Sequence, residues 1–448
     1  MKTIVLLGAG KSAHVLIHHL AEMAEHKSWQ LFIGDLQTDL LAKRLSSKKQ
    51  TACFTLNLQK QETFVPYIQQ ADLVISMLPA MFHSSIAALC LEYKKHLITP
   101  SYISDEMAAK DQEAKDKGLI FLNEIGLDPG IDHMSAMKII HELQDKQCEI
   151  ISFKSYCGGL IAPECDTNPW KYKFTWNPRN VVLAGQGKGG IKYLADNEYK
   201  YIPYFNLFKH YTTIEIEGVG KFEGYPNRDS LKYQSKYGLD NTSSLIRGTL
   251  RKQGFCDAWD ALIQLGMTED SYHLDLTTQN TQADFLKCFL TKWTGHHRRD
   301  LESTLRKAIG EEVFEKIMWL GLFDETKKIT VLGTPAQILQ SILEPKLALS
   351  LGDKDMVVMH HEIIYKDSDS LMHQINSSMT LIGKDEEETA MALTVGLPIA
   401  IASEMILENK IATTGVIMPI EPAVYILILE SLATHGIHFS ERHFPVTL

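Results

Sequence analysis

The sequence has no surplus of basic residues. Lysine and arginine total 45 against 55 aspartate and glutamate, a formal net charge of −10. A nucleic-acid partner needs a basic face to neutralise phosphates, so that class of function is disfavoured. Cysteine is sparse and unpatterned: Cys53, Cys90, Cys148, Cys157, Cys165, Cys256 and Cys288 are odd in number and never fall in a CxxC pair. That argues against a disulfide framework and a cysteine zinc site, and it reads as free thiols in a reducing, cytoplasmic setting. His360 and His361 adjoin on an expected strand without a third ligand at metal spacing, so no metal is expected. Long hydrophobic runs are nearly missing. One stretch approaches membrane length, "TAMALTVGLPIAIASEMIL" (Thr389 to Leu407), but Pro398 and Glu404 interrupt it and no basic flank adjoins it. A buried helix is expected there, with no membrane partner. The opening "MKTIVLLGAG" reads as a strand running into a glycine turn rather than as a signal peptide. There is no internal repeat and no low-complexity segment.

What is present is a regular alternation. Over the first ~130 residues, apolar strand patterns and helical patterns take turns. The strands are Thr3 to Leu7, Gln30 to Gly34, Cys53 to Leu58, Asp72 to Pro79, His96 to Ser101 and Leu119 to Gly126. Their apolar residues run continuously instead of alternating, which marks strands buried on both faces. The expectation is an α/β fold with a parallel sheet between helices. The middle of the chain changes character. Cys148 to Cys157, Thr212 to Gly224, Met356 to Lys366 and Ser370 to Gly383 read as antiparallel strands of a second sheet. From Asp257 to Leu349 the pattern is mostly helical, with "DAWDALIQLG", "ADFLKCFLTKW", "LESTLRKAI" and "EEVFEKIMWLGLF". The acidic run Lys384 to Glu388 reads as a solvated start to the last long helix, where acids suit the dipole.

The first strand ends in "GAGKSA", in which Gly8, Gly10 and Ala13 fit G-x-G-x-x-A. Gly8 permits the tight turn, Gly10 lets a pyrophosphate approach the backbone, and the small Ala13 lets the helix pack close. The turn Gly8, Ala9, Gly10, Lys11 and Ser12 is therefore assigned to a dinucleotide, with the helix N-terminus supplying N–H donors. Lys11 reads either as a neighbour of the pyrophosphate or as a solvated lysine. Asp35 lies 22 residues beyond Ala13, near the spacing of a carboxylate that accepts from the adenosine ribose. A carboxylate there repels a 2′-phosphate, so NAD is expected over NADP.

The stretch "NEIGLDPGIDHM" (Asn123 to Met134) joins the sixth strand to a helix. Asp128 reads as an N-cap and Pro129 as the first helical residue. The tails of strands four, five and six all lie at the carboxyl edge of the sheet, where open α/β sheets bind ligands. Ser101, Tyr102 and Asp128 share that edge. His133, an early helical histidine, reads as a structural group.

Several blocks resemble the saccharopine reductases, the glutamate-forming saccharopine dehydrogenases. They are "NEIGLDPGIDHM", "SYCGGLIAPE" (Ser155 to Glu164), "NPWKYKFTWNP" (Asn168 to Pro178), "GYPNRDS" (Gly224 to Ser230), "IRGTLRKQGF" (Ile246 to Phe255), "TAMALTVGLP" (Thr389 to Pro398) and "GVIMP" (Gly415 to Pro419). They fall in family order over nearly the whole length. The resemblance implies a Rossmann domain, an α/β substrate domain with a helical insertion, and a C-terminal segment returning to the first domain. In residues this is 1–130, 131–256, 257–349, 350–388 and 389–448. It also implies a homodimer and a small amino-acid substrate. Saccharopine would be interconverted with glutamate and 2-aminoadipate 6-semialdehyde through an imine, by a nicotinamide hydride. The NAD reading points to lysine breakdown.

The same resemblance implies roles. Three substrate carboxylates call for arginines: Arg228 would grip one, and Arg247 and the segment at Thr249 would assist. Asp128, Tyr102 and Cys157 are the polar groups near the reacting centre. Ser101 would touch both substrate and nicotinamide. Met77, Leu78, the loop Gly126, Leu127, Asp128, Pro129, Gly130 and Ile131, and Trp176 would line the cofactor, and Asn57 would face the adenine. This chain departs from the family where Ile161 replaces a commoner proline and Lys252 a commoner aromatic; neither removes a group the chemistry needs. The rivals are an imine-reducing relative, such as carboxynorspermidine dehydrogenase or lysine 6-dehydrogenase, and a non-catalytic NAD-binding scaffold.

Overall fold

The computed structural model describes residues 1–187, 190–290 and 298–446. The chain divides into two units: Met1–Gln147 with Gly383–Ser440, and Cys148–Ile382 with Glu441–Leu448. The helix Ile131–Asp145 thus belongs to the first unit.

The first unit is built on a parallel sheet. Its strands are β1 (Thr3–Leu7), β2 (Gln30–Asp35), β3 (Thr51–Thr55), β4 (Leu73–Ser76), β5 (His96–Ile98), β6 (Ile120–Leu122) and, far along the chain, β15 (Gly415–Ile417). Their order is β15-β6-β5-β4-β1-β2-β3, the doubly wound arrangement with one strand added beside β6. All residues of β1, β4 and β6 are buried, as continuous apolar runs require. The expected strand from Leu119 to Gly126 shortens to three residues, because Asn123 and Glu124 turn into buried polar contacts. β15 was not expected: three residues among loops give no periodic signal.

The helix Ala390–Leu407 packs on the helix His14–Lys27 inside this unit, and 14 of its residues are buried. Among the described residues it is the one helix long and apolar enough to cross a membrane, and its burial marks a core helix. Gly396 is required at that crossing, because a Cβ there would lie 2.8 Å from the Leu16 nitrogen. Its N-cap is Thr389, whose hydroxyl accepts from the Ala392 N–H at 3.0 Å. The acidic run therefore does not start the helix. It forms a turn ahead of it, where the Asp385 carboxylate accepts from the N–H groups of Glu387 and Glu388.

The second unit carries a nine-stranded sheet: β7 (Glu149–Ile161), β8 (Ile191–Ala195), β9 (Glu198–Ile202), β10 (Thr212–Ile216), β11 (Gly220–Pro226), β12 (Ser244–Lys252), β13 (Asp355–Lys366), β14 (Met372–Ile382) and β16 (Ser440–Pro445). The main path runs β10-β11-β12-β7-β13-β14-β16. Two expectations change here. The stretch from Thr212 to Gly224 is a hairpin of two strands, since Val219 and two flanking glycines make a turn. The sheet is also mixed rather than antiparallel, because β12 pairs with β7 in parallel. The long excursion between those strands, through β8 to β11, gives the chain room to return in the same direction. One helical cluster packs around Trp170, Trp259 and Phe255, with the helices Phe255–Gln264, Gln282–Lys287, Glu311–Leu320 and Pro335–Lys346. Residues 291–293, the end of the expected helix "ADFLKCFLTKW", lie outside the described residues.

Candidate active site

The glycine turn of the first unit has the geometry a pyrophosphate needs. Gly8 has φ +99, and a Cβ there would meet the Met77 carbonyl at 3.1 Å. Gly10 is the N-cap of the turn Lys11–Ala13, and a Cβ on it would meet nothing within 4 Å, so the approach is open. Ala13 is fully buried. Lys11 is exposed and Ser12 half-buried at the same end. The Asp35 carboxylate, at the end of β2, accepts from the Ala9 N–H at 2.6 Å. The residues therefore fit a dinucleotide. Met77 and Leu78 follow β4, half-buried. Asn57 follows β3, and its carboxamide oxygen accepts from the Gln59 N–H at 3.0 Å, which fixes a local turn.

The tails of β5 and β6 are tied together. Tyr102 donates its phenol proton to Asp128 Oδ1 at 3.1 Å. Buried Glu124 clamps the segment between: its N–H donates to the Ser101 carbonyl at 3.1 Å, and its Oε1 accepts from the Ile103 N–H at 3.0 Å. Its other oxygen meets His133 Nε2 at 2.9 Å, and both side chains are shut off from solvent. Ser101 Oγ lies 2.8 Å from His83 Nε2. That imidazole also reaches Ser76 Oγ through Nδ1 at 2.9 Å and Thr99 Oγ1 through Nε2 at 3.1 Å. Burial holds His83 down to about 4, so the ring is neutral at pH 7.

The capping assignment at the junction needs correction. The helix starts at Ile131, and its N-cap is Gly130, not Asp128. Residues 126–130 close on themselves: the Gly126 N–H donates to the Pro129 carbonyl, and the Ile131 N–H to the Gly126 carbonyl, both at 2.9 Å. Gly130 sits at φ +147, and a Cβ on it would lie 2.1 Å from the Gly126 oxygen. Asp132, not Asp128, accepts from the Gly130 N–H. Asp128 is left half-buried on the rim, with a cis bond to Pro129.

In the second unit the registers set the site. Cys157 on β7 faces Thr249 on β12, and Thr249 faces Tyr225 on β11. Thr249 and the Tyr225 phenol share a hydrogen bond, and burial pushes that phenol up to about 12. Arg247 stacks its guanidinium 4.3 Å from the Tyr233 ring centre, and its carbonyl accepts from the Asn227 N–H at 2.8 Å. The neighbouring Arg228 is exposed at φ +52. Trp176 packs on the edge of the helical cluster.

Sequence reasoning missed Arg251. On a strand, residues 247, 249 and 251 line one face, and this period-2 signal was available. Arg251 is 4% exposed and sits among Tyr172, Phe255 and Tyr225, 5.2, 5.3 and 6.0 Å from its guanidinium carbon. Among the described residues it has no carboxylate partner, and its Nε has no acceptor. Glu223, its register partner, gives both oxygens to the N–H groups of Gly254 and Cys256. His83 and Glu124 were also missed as site residues, since only the fold brings them under Ser101 and Tyr102. Among the described residues no group of three or more His, Cys, Asp or Glu could hold a metal.

A glycine turn at the head of a parallel sheet, with polar groups gathered at its carboxyl edge, defines the class of the first unit: a Rossmann-type dinucleotide-binding fold. Comparison with known proteins narrows it. The model of the saccharopine dehydrogenase NADP binding domain matches residues 4–122, and that of the saccharopine dehydrogenase C-terminal domain matches residues 126–437. The chain belongs to the saccharopine dehydrogenase family. It is 30% identical to the saccharopine dehydrogenase [NADP(+), L-glutamate-forming] of Schizosaccharomyces pombe, over 99% of both chains. It is 33% identical to an alpha-aminoadipic semialdehyde synthase of Arabidopsis thaliana, over 98% of this chain but 44% of that protein. A bovine mitochondrial homologue of the same name is likewise spanned over only 48% of its length. The structure is similar to apo saccharopine dehydrogenase (L-Glu forming) from Saccharomyces cerevisiae, with TM-score 0.88 and 30% identity, covering 99% of this chain and all of that one. Nicotinamide-cofactor binding stands on these matches. The expected preference for NAD does not, since the fungal relatives are named for NADP(+).

Proposed function

We propose that this chain is an L-glutamate-forming saccharopine dehydrogenase. It interconverts saccharopine with L-glutamate and 2-aminoadipate 6-semialdehyde. The observation that carries the reading is Arg251, a buried cation with no carboxylate partner among the described residues, in the same strand as Arg247 and Thr249. A substrate with three carboxylates supplies what such a guanidinium lacks. Full-length similarity to enzymes named for this reaction supports it.

The glycine turn Gly8 to Ser12 would hold a nicotinamide dinucleotide, which would supply the hydride acceptor or donor for the substrate carbon beside the nitrogen. The chain's own groups handle charge and protons. Asp128, already accepting from Tyr102, offers a carboxylate to the secondary amine that loses its proton as the imine forms. Water then adds to the imine, and the Tyr102 phenol oxygen, whose own proton is given to Asp128, accepts from the hydroxyl of the carbinolamine so formed; that proton passes to the nitrogen as the C–N bond breaks. Collapse of that adduct releases glutamate and the aldehyde. Cys157 lines the same face as Thr249 as a small polar group.

NAD is part of the proposal. Asp35 closes β2 with its carboxylate at the glycine turn, where a 2′-phosphate would meet like charge. The names of the fungal relatives stand against it. A degradative direction, a cytoplasmic location and a homodimer complete the reading, resting on the Asp35 argument, the scattered cysteines and the family resemblance in turn. The test is initial rates of saccharopine oxidation at alkaline pH, with NAD and NADP in parallel. Turnover with NAD alone is expected. Turnover with NADP alone keeps the reaction and removes the Asp35 argument. A folded protein that binds the cofactor and turns over saccharopine with neither moves the reading to the polyamine or lysine relatives.

A further inference from the structure

His83 lies outside every role given so far, yet it is the buried hub of the hydroxyls behind β4 and β5. It heads the helix His83–Tyr93 and is 4% exposed. Ser76 and Thr99, its inner partners, are fully buried. Ser101, its outer partner, is half-buried at the carboxyl edge and adjoins Tyr102. The Ser101 N–H also points back, to Thr99 Oγ1 at 3.3 Å.

A neutral imidazole has one proton and one lone pair, so it sets the direction of the hydroxyls around it. With the proton on Nδ1, the ring donates to Ser76, and Nε2 takes the Ser101 proton inward. Ser101 then offers an incoming carboxylate only lone pairs. With the proton on Nε2, the ring donates to Ser101 Oγ and Thr99 Oγ1, and Nδ1 accepts from the Ser76 hydroxyl. The Ser101 proton is then turned outward, as a donor.

We infer that His83 is a positioning residue: protonated at Nε2 and held by Ser76 at Nδ1, it orients Ser101 as a hydrogen-bond donor to a carboxylate of the substrate. Burial keeps the ring neutral through the working pH range, so the direction does not invert. The inference rests on the proposed function for the identity of the carboxylate. The coupling of the Ser101 hydroxyl to the His83 tautomer rests on the geometry alone.

The test is a double-mutant cycle on the full chain with Ser101→Ala, His83→Leu and the pair, reading KM for saccharopine against kcat. Each single variant is expected to raise KM about tenfold, the worth of one hydrogen bond to a charged group. The pair is expected to do no worse than either single, because His83 acts through Ser101. His83→Gln retains a side-chain N–H donor, so it is expected to hold KM within about threefold of the parent. Effects that multiply in the pair overturn the inference. So does a His83→Leu variant with a lowered melting midpoint and an unchanged KM.

A second readout needs no turnover. In protein with 15N-labelled histidine, the His83 ring is assigned by its disappearance in His83→Gln. A neutral ring protonated at Nε2 is expected, and protonation at Nδ1 overturns the inference. An Nε2–H ring in a protein that does not oxidise saccharopine removes the proposed substrate and leaves the orientation of Ser101 standing.

Discussion

The two units put their chemistry in different places. In the first, strand interiors are apolar, and the candidate site groups sit on turns at the strand ends: Gly8, Gly10, Ser101, Tyr102, Asp128. In the second, the strands themselves carry it: Cys157, Tyr225, Arg247, Thr249 and Arg251 lie inside β7, β11 and β12. A parallel sheet covered on both faces has no open surface, so only its edges reach a ligand. A mixed sheet can turn a whole face to one. The lesson is that the first unit is fragile in its backbone and the second in its charges.

The sharpest way to break this contrast is Arg251→Met, which keeps volume and removes the charge. We expect kcat/KM for saccharopine to fall by about 1,000-fold, the cost of losing one partner of a desolvated charge pair. Dinucleotide affinity, measured by fluorescence titration, should be unchanged. A loss under tenfold would make Arg251 a folding device and dissolve the contrast. Next in size is Gly130→Ala. Its Cβ has no room and its φ is forbidden, so stability should drop by about 3 kcal/mol in urea unfolding. Gly10→Ala, with open space and φ −67, should leave stability intact and weaken dinucleotide binding instead.

Acid tests the first unit by another route. His83 has a folded pKa of about 4 against an ordinary 6.5. Above the higher value neither state holds the proton, and the group contributes nothing. Between the two, the unfolded chain binds a proton that the fold refuses, so stability falls as pH falls. Below the lower value the loss is complete, at about 3 kcal/mol. His83→Gln should flatten that part of the stability-against-pH curve; an unchanged slope would show the ring titrating normally. The smallest effect is Thr389→Ala, the loss of one N-cap, at about 1 kcal/mol in the same unfolding measurement.

Legibility in the sequence followed the same division. Apolar runs and glycine spacing announced the first sheet and its dinucleotide turn. They failed where a local rule was overruled: Asp128-Pro129 looks like a cap, but the close approach of Gly130 to Gly126 forces the helix to begin later. In the second unit, four stretches read as strands, but the block Ile246 to Phe255 was marked only by resemblance and not as a strand. Arg251 was therefore passed over beside Arg247, though both lie on one face once β12 is recognised. His83 and Glu124 carry no local signal at all. They reach Ser101 and the Tyr102 segment only because parallel pairing lays β4, β5 and β6 side by side.

The strand β15 and the helix Ala390–Leu407 have a consequence during synthesis. Both belong to the first unit, yet both are made after the whole of Cys148–Ile382. At ordinary translation speed that interval is on the order of 10–50 s. Throughout it, the nascent first unit presents an uncovered β6 edge and the bare flank of His14–Lys27 that Gly396 will later press against. Such surfaces are what chaperones recognise. The dinucleotide turn leads directly into that flank, so residues 390–417 must leave the ribosome before residues 8–27 gain their full packing.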